Sequence, residues 1–231
     1  MKIGIFTDSH YSSKEVTCGR RYNSQSLRKM QEAYDAFVAE KCDLVICLGD
    51  LTDVEDSHGQ EVANLKKCSE LINRFPVKTI CVMGNHDGFD FTQEEFYGIL
   101  GESCIPKTIC AEGKTLLFLD ACYFKTGEHY QPEDSDWTDT FYPYEKELAE
   151  ELEAHNEVYV FMHQNIDENI PENHCLYNAR QIREILENSQ KVKAVYQGHF
   201  HPGYESINNG ITYQTFPAMC EVEKGYFFLE L

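Results

Sequence analysis

No apolar stretch in this sequence runs long enough to cross a bilayer as a helix. The opening MKIGIFTDSH holds no apolar region like that of a secretory leader, so the cytoplasm is the expected compartment and no membrane partner is expected. Basic residues are scarce. Against 39 Asp and Glu stand 20 Lys and Arg, a formal charge of −19. That balance argues against long nucleic acid held on a broad basic surface. A small anionic substrate stays open, because a metal site is locally positive even on an acidic protein. Ten cysteines are present, but no pair has the two-residue spacing of a zinc ribbon or redox motif. Cys47 and Cys81 lie within apolar runs and read as buried free thiols. Repeats, low-complexity tracts and linkers are also missing. With 231 residues, 42% of them hydrophobic, one domain over 1–231 with a packed core is expected.

Short apolar runs alternate with helical patterns. Ile3–Phe6, Leu44–Leu48 and Ile80–Met83 read as buried strands. Leu27, Met30, Tyr34, Phe37 and Val38 recur at helical spacing between the first two. Val62, Leu65, Cys68, Ile72 and Phe75 do so between the next two, and Pro76 stops that helix. Such lengths imply parallel pairing through right-handed crossovers. Thr92 and Glu95 form a capping box before a short helix, Phe96–Leu100. A hairpin is expected over 108–111 and 115–120, then a Glu-rich helix after Pro143, a strand Val158–Met162, a helix around Ile182–Leu186 and a strand Val192–Tyr196. The carboxyl-terminal part reads as antiparallel: Tyr204–Ile207, an Asn209-Gly210 turn, Ile211–Phe216 and Tyr226–Leu231. The expected fold class is α/β, a mixed two-sheet sandwich flanked by helices in four layers.

Polar clusters close strand after strand. They are Asp8-Ser9-His10, Gly49-Asp50, Gly84-Asn85-His86-Asp87, His163 and Gly198-His199-Phe200-His201. Ligands of open α/β sheets bind beyond the carboxyl ends of strands, so the clusters can converge. On an extended segment, Asp8 with His10 and His199 with His201 would each share a face. Oxygen and imidazole donors without thiolate favour manganese, iron or zinc. Seven candidate ligands exceed one tetrahedral ion and suit two ions sharing a carboxylate. Two divalent ions outweigh Asp8 and Asp50 even with a bridging hydroxide, which leaves the centre positive for an anionic phosphate.

In that order, these five blocks resemble the calcineurin-like metallophosphoesterase superfamily. The resemblance implies a two-sheet sandwich flanked by helices. It implies one metal on Asp8, His10 and His201, a second on Asn85, His163 and His199, and Asp50 bridging them. His86 would stand beside the substrate to assist its leaving group or stabilise the transition state. Manganese is the first expectation for the two divalent ions, with iron or zinc as alternatives. The implied reaction is hydrolysis of a phosphodiester or phosphoanhydride by a metal-bridging hydroxide. Arg20-Arg21-Tyr22, Ser26-Leu27 and the stretch from Gly198 to Glu221 resemble manganese-dependent ADP-ribose/CDP-alcohol diphosphatases, implying a nucleotide diphosphate conjugate as substrate. Gly49-Asp50-Leu51-Thr52-Asp53 equally resembles the cyclic-nucleotide phosphodiesterase branch, although Gln164 stands where that branch has a second histidine. A phosphomonoesterase would share the same core, and a non-catalytic adaptor would have lost ligands.

Outside that core the pattern carries less chemistry. Arg20 and Arg21 read as a clamp for a second phosphate or as two solvated surface arginines. Asp87 reads as orienting His86 or as a turn cap, and Asp53 as a helix-start or turn residue. Residues 122–142 form a long aromatic and acidic stretch with Trp137, the single tryptophan, which reads as a lid or as a self-packed excursion. No role attaches to His58, His129, His155 or His174; His174 reads as a surface residue, with the edge of the pocket as the alternative.

Overall fold

The apolar runs do form strands, and the amphipathic stretches lie between them as helices. The computed structural model describes residues 1–134 and 136–231. It begins with β1 (Lys2–Phe6), α1 (Ser26–Ala39), β2 (Leu44–Cys47), α2 (His58–Ile72) and β3 (Thr79–Cys81). Next come α3 (Asn85–Asp90), α4 (Gln93–Leu100) and the hairpin β4 (Ile109–Ala111) and β5 (Lys114–Leu119). The second half holds α5 (Glu145–Glu153), β6 (Val158–Met162), α6 (Ala179–Ser189) and β7 (Val192–Gln197), then β8 (Tyr204–Asn208), β9 (Ile211–Thr215) and β10 (Tyr226–Glu230).

Two mixed sheets result. One has the order β10-β1-β2-β3, with β1, β2 and β3 parallel and β10 antiparallel to β1. The other has the order β4-β5-β6-β7-β9-β8, parallel from β5 to β9 with an antiparallel strand at each edge. Alternation along the strands sorts side chains into layers. Ile3, Ile5, Leu44, Ile46 and Ile80 face Leu116, Phe161, Ala194 and Tyr196 across the sandwich. Their intervening neighbours Phe6, Val45 and Cys47 turn outward onto Met30, Phe37, Leu65 and Cys68 of the first two helices. Val160 and Met162 turn onto Leu148, Leu152, Ile182 and Leu186 of α5 and α6. Each such buried aliphatic contributes about 1.5–3 kcal/mol relative to exposure. Every cysteine is free, and Cys47 and Cys81 are buried.

Two elements depart from the reading of the sequence. The last strand does not extend the antiparallel end of the chain; it crosses to the first sheet and pairs from Lys2↔Glu230 to Phe6↔Tyr226. Its two faces are both apolar. Phe227 and Leu229 pack into the sandwich while Tyr226 and Phe228 pack toward α1, and only a position between two layers buries both. The other departure is α3, where a turn was expected. Asp87 draws the chain into a helix there, accepting hydrogen bonds from the Gly84 N–H at 3.0 Å and the Leu51 N–H at 3.0 Å.

Candidate metal centre

All five polar clusters meet beyond the carboxyl ends of β1, β2, β3, β6 and β7, with their side chains in contact. The backbone there is strained rather than extended. Asp8, His10, Asp50 and His199 have φ of 51, 44, 53 and 64°, a left-handed region that costs L-residues free energy and gathers at functional sites. These turns aim the carboxylates and imidazoles inward. Two glycines make the room. A Cβ on Gly84 would lie 2.2 Å from Asp50 Oδ1, and one on Gly198 would lie 2.1 Å from Thr7 Oγ1 and 2.8 Å from Asp8 Oδ2.

Two donor groups share the Asp50 carboxylate. In the first, His10 Nε2 lies 3.2 Å from His201 Nε2, 3.7 Å from Asp8 Oδ1 and 3.5 Å from Asp50 Oδ2. In the second, His163 Nε2 lies 3.3 Å from Asp50 Oδ2 and 3.2 Å from Asn85 Oδ1, with His199 alongside. Donors bonded at about 2.1 Å and at right angles around one ion stand about 3 Å apart, so these spacings fit divalent cations. Asp8 Oδ1 and His199 Nε2 are buried with no hydrogen-bond partner among the described residues, as donors meant for an ion would be. The pair His199 and His201, expected to share a face, divides between the two groups. The left-handed turn at His199 causes the division.

Without an ion, the groups perturb one another. Burial lowers the His10 imidazole to about 4. Burial acts the same way on His163, but the Asp50 carboxylate prevails and raises it to about 10. His199 is driven well down by burial and by its neighbour His163. Burial works to raise Asp50, yet His163 and His86 hold its carboxyl far below the usual range.

A second set of contacts orients these rings. His163 Nδ1 lies 2.8 Å from the Leu48 carbonyl, and His201 Nδ1 contacts Glu221 Oε1. His86 stands at the start of α3, where its N–H donates to Asp50 Oδ1 at 2.9 Å. Its Nδ1 lies 3.2 Å from Asp53 Oδ1, not against Asp87, whose carboxylate is used by backbone N–H groups as a cap. Asp53 is therefore more than a turn residue. It also receives the Asn23 Nδ2–H at 3.0 Å and the Arg21 Nη1–H at 3.3 Å, and lies 3.9 Å from His10 Nδ1. Asp53 and Glu221 lay within stretches that carried a resemblance but no local pattern gave them a role, and nothing marked Asn23. The one available signal for Asp53 was its place three residues after Asp50.

A cleft of 490 Å³ opens over the centre. Arg20 and Arg21 line it; Arg20 Nε is 3.0 Å from Glu221 Oε1, and Arg21 Nη1 is 3.4 Å from His86 Nε2. Trp137, His174 and Phe200 also line it, the Trp137 ring 5.3 Å from that of His174 and 6.1 Å from that of His199. His174 is thus part of the cleft wall, not a bystander at the surface. The 122–142 stretch is anchored where described, Tyr130 Oη donating to the Asp136 carbonyl at 2.7 Å and the Glu133 N–H to that of Phe89 at 2.8 Å. Among the described residues, no helix is long and apolar enough to cross a membrane.

Compared with known proteins, residues 1–203 match the family model described as calcineurin-like phosphoesterase. No curated protein matches the sequence. Among solved structures, a dimetal phosphatase from Danio rerio is similar with a TM-score of 0.86 at 17% identity, covering 100% of this chain and 92% of that one. A phosphopantetheinyl hydrolase from Mycobacterium tuberculosis has a TM-score of 0.54 at 13% identity, over 99% of this chain and 95% of that one. Purple acid phosphatase from yellow lupin has a TM-score of 0.57 at 13% identity, over 100% of this chain and 46% of that one. At such identities the likeness is one of fold.

Proposed function

The chain belongs to the calcineurin-like phosphoesterase family, and from that premise we propose a hydrolase that uses two divalent metals to cleave a phosphoanhydride in a nucleotide diphosphate conjugate such as ADP-ribose or a CDP-alcohol. Asp8, His10 and His201 would hold one ion and Asn85, His163 and His199 the other, with Asp50 shared; manganese is the metal we favour. The similar structure from Danio rerio is described as a dimetal phosphatase, which supports the count of two ions. The chemistry such ions supply is a water acidic enough to attack phosphorus near neutral pH, and positive charge to offset the phosphoryl oxygens.

The chain's own groups do the remaining work. Asp53 at Nδ1 fixes the His86 ring, so Nε2 is the nitrogen left to serve the leaving oxygen. Arg21, beside that nitrogen, and Arg20, at the rim, would bind the second phosphate. The observation that carries the reading is this cleft, with guanidinium groups and an aromatic wall of Trp137, His174 and Phe200 lining one space. A diphosphate joined to a planar base matches both.

Chelator-stripped protein resupplied with Mn²⁺ should hydrolyse ADP-ribose and CDP-choline faster than a cyclic nucleotide or nitrophenyl mono- and diesters. Asp50→Asn should lose metal and nearly all turnover. Activity confined to the cyclic or generic esters would discard the diphosphate assignment and leave the hydrolase. Retained metal and rate in Asp50→Asn would remove Asp50 from its shared position. Trp137 fluorescence should change on nucleotide binding, and no change at saturation would count against the aromatic wall.

A further inference from the structure

Asp90, the last residue of α3, is 2% exposed, and neither of its carboxylate oxygens has a hydrogen-bond partner among the described residues. Buried carboxylates are ordinarily paired or hydrogen-bonded, so this one asks for a partner. It lines a second cavity of 490 Å³, as large as the cleft over the metal centre. Glu55, Asp56, Glu61, Glu133 and His58 share the walls. Two of these acids are already matched: Asp56 lies 3.3 Å from Lys14 Nζ, and Glu61 lies 3.2 Å from His58 Nδ1. Glu55 has only neutral donors, the Ser13 and Asn64 groups, and no cation among the described residues. Asp90 and the exposed Glu133 likewise lack one, and no lysine or arginine lines the cavity.

Cavity and donors do not suit a bare metal ion. No three imidazole, thiol or carboxylate donors in this cavity come within 4.8 Å of one another among the described residues, unlike those at the metal centre. The space is also many times that of an ion. We propose that the cavity binds the alkylammonium group of an organic polycation, with Asp90 as its buried counter-charge and Glu133 at its outer edge. An ammonium group donates three hydrogen bonds; seating it on Asp90, whose oxygens have almost no exposed surface, requires a small opening of the cavity floor and release of the carboxyl proton, with its chain in the remaining volume. Such an occupant braces two catalytic segments. Val54 follows Asp53, Asp90 ends the helix that Asn85 and His86 begin, and the Glu133 N–H is bonded to the Phe89 carbonyl.

The test uses the full chain, without substrate, so that it does not depend on the catalytic reading. Spermidine is titrated by calorimetry and followed by thermal unfolding, with Ca²⁺ and NaCl arms at matched ionic strength. Wild-type protein should bind spermidine saturably and melt higher with it. Asp90→Asn should fold, bind spermidine at least tenfold more weakly and show no melting shift. Equal affinity in Asp90→Asn, no saturable binding, or tighter binding of Ca²⁺ than of spermidine would each overturn the proposal. Should Asp90→Asn fail to fold, Glu133→Gln on the exposed edge decides. Weaker spermidine binding there supports the site, and unchanged binding overturns it.

Discussion

Asp53 shows how much one carboxylate organises at the scale of a residue. It touches His86, Arg21, Asn23 and Thr17 and lies within 3.9 Å of His10. Replacing it with Asn keeps the shape but removes the charge that holds the His86 ring at Nδ1. Turnover should fall about 10- to 100-fold while metal content by elemental analysis is unchanged. Loss of metal with turnover would place Asp53 among the groups that build the centre instead. Asp90 allows a pH prediction of a different kind. Burial first, then the charges of Glu61 and Asp87, raise its carboxyl to about 9, above an unfolded value near ~4. A raised pKa means the fold favours the protonated form. That stability is complete below about pH 4 and is lost as pH rises through about 9, by at most ~1.4 kcal/mol per unit. Asp90→Asn, always neutral, should therefore gain on wild type in urea unfolding between pH 5 and pH 9 in polyamine-free buffer. A constant difference across that range would show that Asp90 is ionised and paired.

At the scale of elements, what could be read before folding was the succession of apolar runs and their polar ends. Buried parallel strands need continuous apolar sequence, and their ends release the chain into ligand-bearing turns, so the first three strands, β6 and β7 were all legible. The helix α3 was not. Asn85, Asp87 and Gly88 are poor helix formers, and the helix exists because Asp87 collects N–H groups from both its own first turn and the turn after β2. Glu221 and Asn23 were hidden for a related reason, since their partners His201, Asp53 and His10 are brought to them only by the folded loops. The strand-end glycines can be tested directly. Gly84→Ala would place a methyl 2.2 Å from Asp50 Oδ1, against a carboxylate already bound to the His86 N–H and close to His163. Asp50 must move. The variant should keep its far-ultraviolet circular dichroism but bind fewer than two metals per chain, with a matching loss of turnover. Full occupancy and rate would show that the turn relaxes without displacing Asp50.

Charge at the scale of the whole molecule sets a conflict that the centre must resolve. The chain carries −19 overall, while the proposed substrate is an anion that must reach a cleft bordered by Arg20 and Arg21. Contact interactions inside the cleft are only weakly screened, whereas charges beyond a Debye length of about 10 Å are screened strongly. Added salt should therefore remove more of the distant repulsion than of the local attraction. For an anionic diphosphate substrate, kcat/KM should rise roughly twofold or more as NaCl goes from about 20 to about 200 mM, through KM rather than kcat. A neutral, uncharged ester should show no such trend. Replacing Arg20 with Ala, whose guanidinium is mostly exposed and paired with Glu221, should lower kcat/KM at every salt concentration and leave the upward slope in place. A fall in kcat/KM with salt in the wild-type protein would mean that local positive charge at the cleft, not the acidic surface, governs the approach of the substrate.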